Sequence, residues 1–380
     1  MHSNNEVIIK VSGRIGLITL NRPKALNALS LSMICAISDA LLEWKNEPQV
    51  LAVAIRGSNK TGRPGTPEGL FGGFCAGGDI RFFHQAALAD DAALDVFFTE
   101  EYSLNHLIQT YPKPYIAFMD GVVMGGGMGL CQGATVRIVT ENTRMAMPET
   151  NIGLFPDVGG GYFLSRCPGH VGEYLALTGE VIGADAAIGY GLADVKIDAA
   201  RLPALWESLA SQAFDSSTQV EQWIAIGLIA DSGRTTWTTS HIDAYFSLLR
   251  VKHIVDALEA STDSWATKTA ANLRKRSPLM LHVTLEQIRR ARGMTLADDL
   301  RMERDMVHHC FHLRPGAGSE TVEGIRALAI DKDYKPKWQP ARIEDVKPGM
   351  ADAFFVSPWT PATHPLRGLV DSGAPAAQAD

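Results

Sequence analysis

Apolar positions change their period once along this chain, near residue 200. Before it, short apolar runs rich in β-branched residues alternate with clusters of Gly, Pro, Asn and Ser. After it, apolar residues recur at helical spacing. The first pattern predicts two short strands between Glu6 and Asn21, turning at Ser12-Gly13, and a strand over Val50–Arg56. Pro23 ends the first pair, and Ser30 is placed to cap a helix running to about Trp44. Pro114–Gly121 reads as a buried strand, and Thr135–Met147 as one more. The second pattern predicts helices over Leu202–Ala213, Gln219–Ile229, His241–Leu258, Ser264–Lys275, Met280–Arg292, Leu296–Phe311 and Thr321–Ala329. The chain thus divides into a mixed α/β core (1–200), a helical region (201–345) and a Pro-, Ala- and Gly-rich tail (346–380), which has little to pack and is expected to be partly disordered.

Glycine clusters follow the predicted strands. Phe74-Cys-Ala-Gly-Gly-Asp-Ile ends the long Asn59–Gly73 loop, and Met124-Gly-Gly-Gly-Met-Gly-Leu follows the Pro114–Gly121 strand. Each can turn backbone N–H groups toward a ligand, or be an ordinary turn with Asp79 as a cap. Neither is a Walker loop, since no Gly-Lys-Ser/Thr follows, and the G-x-G-x-x-G order of a dinucleotide fingerprint is missing. The stretch from Met145 to Arg166 then places Glu149 and Asp157 eight residues apart, each directly after a proline, with no Lys or Arg between Met145 and Ser165. A carboxylate in apolar surroundings has a raised pKa and can act as acid, base or nucleophile. The structural alternative is a loop acid in a salt bridge (Glu149) and a helix cap (Asp157).

Composition narrows the classes. The 380 residues exceed one average domain, and 46% hydrophobic with 20% charged residues fit a soluble globular protein. A net charge of −7 leaves no broad basic field, so nucleic acid is not an expected partner. The five cysteines are scattered and form no C-x-x-C pair. That pattern, and an N-terminus without an apolar h-region or an Arg-rich amphipathic stretch, predict no signal or transit peptide and a cytoplasmic location. No run of about 18 apolar residues is present, so no membrane span is expected.

Together, the two glycine motifs, Met147-Pro-Glu-Thr-Asn-Ile-Gly-Leu-Phe-Pro-Asp-Val-Gly-Gly-Gly and the later Ala329-Ile-Asp-Lys-Asp with Pro336-Lys-Trp resemble the enoyl-CoA hydratase/isomerase (crotonase) superfamily. The likeness is to its 3-hydroxyisobutyryl-CoA hydrolase branch, over roughly residues 7–345. It implies an α/β fold, a crotonase-like spiral of ββα repeats followed by helices. It also implies an acyl-CoA whose thioester oxygen is held by the Gly78 and Gly126 N–H groups. Arg22 and Lys24 are carried over as candidates for a CoA phosphate, and Glu101 as a substrate contact. In hydratases a first catalytic Glu lies three residues after the second oxyanion glycine; here that place is Gly129. The hydrolase branch keeps Glu149 and adds Asp157, and this chain has both.

The implied reaction is hydrolysis of a short 3-hydroxyacyl-CoA, 3-hydroxyisobutyryl-CoA foremost, a step of valine catabolism. Glu149 serves as nucleophile or general base, and Asp157 binds the substrate hydroxyl or moves a proton to sulfur. The alternatives are an enoyl-CoA hydratase/isomerase and a non-catalytic acyl-CoA-binding member. No cofactor is expected beyond the CoA of the substrate, and a homo-oligomer is left open. His308 and His312, at i,i+4, suit one helix face, but no third ligand stands at zincin spacing, so no metal is expected.

Overall fold

The computed structural model describes residues 6–59, 71–227 and 238–371, without side chains at 226 and 227. Most of the Asn59–Gly73 loop, expected to shape the acyl pocket, lies outside these residues. The strands are β1 (Val7–Ser12), β2 (Ile15–Leu20), β3 (Ala52–Gly57), β4 (Tyr115–Met119), β5 (Val122–Met124), β6 (Val136–Val139), β7 (Arg144–Ala146) and β8 (Val195–Lys196). One sheet has the order β1-β2-β3-β4-β6-β8, antiparallel only between β1 and β2. β2 and β3 are buried along their whole length, as parallel strands covered on both faces are, hence their largely apolar runs, interrupted by Thr19 and Arg56.

A second sheet pairs β5 with β7, and bridges from Cys75 to Val123 and from Met145 to Ile182 extend it. Successive turns of chain thus give one segment to the large sheet and one to the small: β3 then Cys75, β4 then β5, β6 then β7. This is the expected spiral. The single strand expected over Thr135–Met147 is two, because Thr140 and Thr143 close a turn between them. Thr140 N donates to Thr143 Oγ1 at 2.8 Å, and Thr143 Oγ1 to Met119 O at 2.7 Å.

The helices are α1 (Leu31–Asn46), α2 (Ile80–Ala89), α3 (Ala93–Gln109), α4 (Gly126–Gly129), α5 (Gly160–Leu164), α6 (Val171–Thr178), α7 (Ala184–Gly189), α8 (Leu202–Ser211), α9 (Ser217–Gly227), α10 (Ser240–Phe246), α11 (Val251–Glu259), α12 (Ser264–Leu273), α13 (Pro278–Ala291), α14 (Leu296–His312) and α15 (Glu320–Ile325). α1 buries Met33, Ile34, Ile37, Leu41 and Trp44, a stripe at helical spacing, and Ser30 caps it by accepting from Met33 N. The His241–Leu258 segment is two helices rather than one.

The helical region has no core of its own. α8 and α9 cover one face of the large sheet, where Trp206 meets Phe71 and Phe118 and lies 4.1 Å from the Arg56 guanidinium. Across the molecule, a single apolar cluster runs from Val7 through α13 and α14 to Leu366. Residues 346–371 pack as well, against the expectation for the tail. Phe354, His364 and Leu366 are buried, and Asp371 accepts from Ala297 N at 3.1 Å. The tail does find apolar and polar partners, on α14; 372–380 lie outside the described residues.

α3 and α14 are clamped together by Asp95, which takes Arg304 at 2.6 Å and faces His308 Nδ1 at 3.4 Å and His312 Nε2 at 3.9 Å. The two histidines do share a face, stacked 3.9 Å apart. Their third potential ligand is therefore a carboxylate that a guanidinium already neutralises.

Candidate active site

Two glycine-rich turns meet at one end of the small sheet. Cys75 N donates to Val122 O and Met124 N to Cys75 O, both at 2.9 Å, so the 74–79 turn is stitched to β5. Gly77 and Gly125 have φ of +103° and +49°, a backbone region that glycine enters without the penalty of a side chain. Each turns the following N–H outward, and these are the N–H groups of Gly78 and Gly126. Neither has an acceptor among the described residues. A Cβ placed on Gly126 would lie 3.4 Å from Gly78 N, so the two donors flank one point. Two converging, unspent donors are what stabilises an oxyanion.

Three carboxyl groups surround that point. Glu149 opens a short helical turn after Pro148, with Oε1 2.9 Å from where a Cβ on Gly125 would stand. Glu101 comes from α3, with Oε1 2.4 Å from the corresponding place on Gly126. Asp157 follows Pro156, and its Oδ2 accepts from Tyr102 Oη at 2.9 Å. All three are buried and line one cavity of about 240 Å³ with Gly78, Gly126, Phe83, Ile152, Leu154 and Leu328. Glu101 Oε1 and Glu149 Oε2 have no partner among the described residues. Burial pushes Glu149 and Glu101 well above the ordinary carboxylate range, and the nearby Asp157 charge adds to both shifts. Burial raises Asp157 to about 7, against the opposing hydrogen bond from Tyr102. Among the described residues Glu149 makes no salt bridge, and Asp157 does not cap α5 with its side chain, so neither structural alternative describes these acids.

The family model described as "Enoyl-CoA hydratase/isomerase" matches residues 15–355. The chain belongs to this family. Over 360 residues it is 38% identical to "3-hydroxyisobutyryl-CoA hydrolase, mitochondrial" of Xenopus tropicalis, covering 93% of this chain and 89% of that protein. The human protein of the same name is 37% identical over 348 residues, covering 90% and 86%. "Probable 3-hydroxyisobutyryl-CoA hydrolase 3" of Arabidopsis thaliana is 36% identical, covering 93% and 92%. Among solved structures, a carnitinyl-CoA dehydratase from Mycobacterium thermoresistibile aligns with a TM-score of 0.80 at 35% identity, covering 93% of this chain and 97% of that one. An enoyl-CoA hydratase from Rhodobacter sphaeroides 2.4.1 aligns at 0.79 and 33%, with the same coverage. The expected cytoplasmic location is overturned by the word "mitochondrial" in the names of the Xenopus and human relatives.

Within this family member, the two basic candidates part company. Arg22 does not offer a free guanidinium: it pairs with Asp79 at 2.8 Å and Glu6 at 3.3 Å and donates to Ala28 O. Its charge is spent on holding the first oxyanion turn. Lys24 is exposed, with no ion-pair partner among the described residues. It lies two residues before Leu26, whose carbonyl accepts from Ala76 N at 3.0 Å, so it stands beside the Gly77–Gly78 turn.

Gly129, at the place of the first hydratase carboxylate, is not open to the cavity. A Cβ there would lie 2.7 Å from Asn105 Nδ2 and 2.8 Å from Val158 Cβ. A Glu installed at 129 would meet packed side chains instead of the thioester cavity. Restoring a hydratase carboxylate by that one change is not supported.

The sequence reading missed Tyr102, Asn105, Asp299 and Glu303. The two acids lie at i,i+4 on α14 and reach the turn behind Asp157. Glu303 accepts from Gly159 N at 2.7 Å and Gly161 N at 2.9 Å, and Asp299 from Tyr162 N at 2.7 Å. Val158 between them has φ +57°, which for a β-branched residue costs roughly 1–3 kcal/mol. Three hydrogen bonds to the carboxyl groups of Glu303 and Asp299 hold the turn against that strain. A signal existed: Asp299 and Glu303 interrupt the apolar stripe Leu296, Leu300, Val307 and Phe311.

Burial raises Asp299 from 3.8 to about 7. A raised carboxyl stabilises the fold fully below its unfolded value, and that contribution is lost as pH rises through the folded one. Wild type is therefore expected to lose thermal stability between about pH 4 and pH 7. Asp299→Asn should flatten that part of the Tm–pH curve. An unchanged slope in the variant would remove Asp299 as its source.

Proposed function

We propose that this protein hydrolyses the thioester of a short 3-hydroxyacyl-CoA, with 3-hydroxyisobutyryl-CoA, the acyl-CoA in its relatives' names, as the first substrate to test. One observation carries the reading. Glu149, Asp157 and Glu101 surround two unspent N–H donors, while the place of a first hydratase carboxylate is a glycine walled in by Asn105 and Val158.

The thioester oxygen accepts from Gly78 and Gly126 N–H, which stabilise the charge of the tetrahedral intermediate. Glu149 as carboxylate attacks the acyl carbon or takes a proton from water that does. The C–S bond breaks, and protonated Asp157 supplies the proton to sulfur; where Glu149 is the nucleophile, water then opens the acyl–Glu149 anhydride, freeing the acid and the Glu149 carboxylate and returning a proton to Asp157. Burial raises both acids, which titrate as one group: with the ionised form on Glu149 its raised pKa makes it a stronger base, and the proton the group retains on Asp157 is the one given to sulfur. None of these steps calls for a metal or redox group.

Release of free thiol across a panel of acyl-CoAs tests the proposal. A hydratase, the reading the two solved structures' titles favour, would turn over crotonyl-CoA without releasing thiol. A binding protein would do neither. Asp157 gives a sharper outcome. If it bonds the 3-hydroxyl, wild type strongly prefers 3-hydroxyisobutyryl-CoA over isobutyryl-CoA, and Asp157→Ala shrinks that ratio by slowing the hydroxylated substrate. If it delivers the proton to sulfur, both substrates slow equally. Wild-type activity then falls above about pH 7, and Asp157→Asn loses that limb.

A further inference from the structure

Three elements that build the acyl-CoA cavity each present a second residue to another cavity behind it. α3 gives Glu101 to the first and Asn105, one turn later, to the second. The second glycine turn gives Gly126 and Gly129. The loop before α5 gives Asp157 and Val158. The rear cavity, about 180 Å³, is completed by Gln132, Arg137, Tyr162 and Arg166 among others.

Its distinctive group is the Asn105 amide. Asn105 is only 4% exposed, and neither Oδ1 nor Nδ2 has a partner among the described residues. A buried amide left unpaired costs on the order of 1–3 kcal/mol for each group, so it calls for a polar occupant. The cations of the rim are engaged. Arg137 forms a two-pronged pair with Asp194, and Arg166 stacks 3.5 Å over Tyr162 and donates to Met294 O. Arg166 has no carboxylate partner among the described residues, but its N–H groups are taken by the carbonyls of Tyr162, Ala291 and Met294, so the group left to bind an occupant is the neutral Asn105 amide, which suits a small neutral molecule. At roughly 30 Å³ per molecule its size suits several waters. Unpaired buried atoms stand on both sides of the wall: the Asn105 amide behind it, Glu101 Oε1 and Glu149 Oε2 in front.

We propose that the rear cavity is a water store, and that Asn105 positions the water that enters the acyl-CoA cavity for hydrolysis. This rests on the thioesterase reading. An acyl group seated in the front cavity of about 240 Å³ competes with water for that space, and a store behind the wall would supply that water. In the step served, the water oxygen bonds to the acyl carbon while one water proton passes to Glu149. The C–S bond then breaks, and sulfur takes the proton held by Asp157. Acid and thiol leave, and a proton returns from Glu149 to Asp157.

The test uses the full-length protein and the best thioester of the panel. Asn105→Leu keeps the side chain's size and removes its polarity. It should lower kcat at least tenfold and leave KM within about threefold, and Asn105→Ser should restore most of the rate. A merely structural role for Asn105 would lower Tm without that kcat-against-KM split or rescue. A crystal structure of wild type with a non-hydrolysable acyl-CoA analogue should show ordered waters on the Asn105 amide. Wild type that releases no thiol from any acyl-CoA overturns the functional reading itself. Wild type that hydrolyses, with an Asn105→Leu variant of unchanged kcat or a dry rear cavity, overturns the water store alone. A Leu variant that fails to fold leaves the crystallographic waters to decide.

Discussion

Glu149→Gln is expected to lower thioester turnover by about 10³, within the roughly 10²–10⁴ range for loss of a positioned general base. Glutamine keeps the size and one oxygen of the side chain but can neither take a proton nor attack a carbonyl. Binding should survive, because the substitution keeps the side chain's size and removes only its charge. The turn carrying Glu149 should also survive, since its supports lie outside the carboxyl. Leu154 N donates to Glu149 O at 3.0 Å, Thr150 Oγ1 to Leu177 O at 3.1 Å, and Thr321 Oγ1 to Gly153 O at 2.7 Å. The measurement is thiol release beside calorimetric binding of CoA. A folded variant within tenfold of wild-type kcat would end the assignment. One that no longer bound CoA would recast Glu149 as a binding group.

The core strands and most helices of this protein could be read from apolar period, because each buries a face that the period records. β2 and β3 are largely apolar runs, and α1 is a stripe with its cap in place. The missed features depend on partners distant in sequence. Glu303 caps a turn 142 to 144 residues earlier, and no local pattern says which buried backbone N–H an acid will reach. A glycine carries no record of its neighbours, so nothing in the sequence shows that Gly129 is walled in by Asn105 and Val158, from two other elements. Arg22 looked available because a charge in sequence shows nothing of Asp79, 57 residues away.

These distant partners also explain why a helical region follows the α/β core. α14 holds the Asp157 turn through Glu303, and α15 holds the Glu149 turn through Thr321. Ser277 N, at the start of α13, donates to Thr150 O at 3.3 Å. The converging Gly78 and Gly126 N–H groups come from the core alone, whereas the turns of two of the three carboxyl groups are held by helices beyond residue 277. Changes in those helices are therefore expected to affect carboxylate chemistry before they affect the N–H pair.

The N–H pair itself is tested at Gly126. Its backbone does not lie in the left-handed region, so alanine can adopt its conformation, and the obstacle is space. The new methyl would stand 2.4 Å from Glu101 Oε1, 3.1 Å from Leu29 Cδ1 and 3.4 Å from Gly78 N. Glu101 can yield by moving the end of a flexible side chain. The thioester oxygen cannot, because the methyl occupies the approach between the two donors. Gly126→Ala should therefore fold, with a small loss in Tm, and lose about 10²–10³ in kcat, the cost of one oxyanion donor. Gly183, where an added Cβ meets nothing within 4 Å, supplies the control, and Gly183→Ala should keep wild-type kinetics. If Gly126→Ala is well folded and keeps full kcat, the oxyanion forms elsewhere, and the convergence of Gly78 and Gly126 is a feature of packing alone.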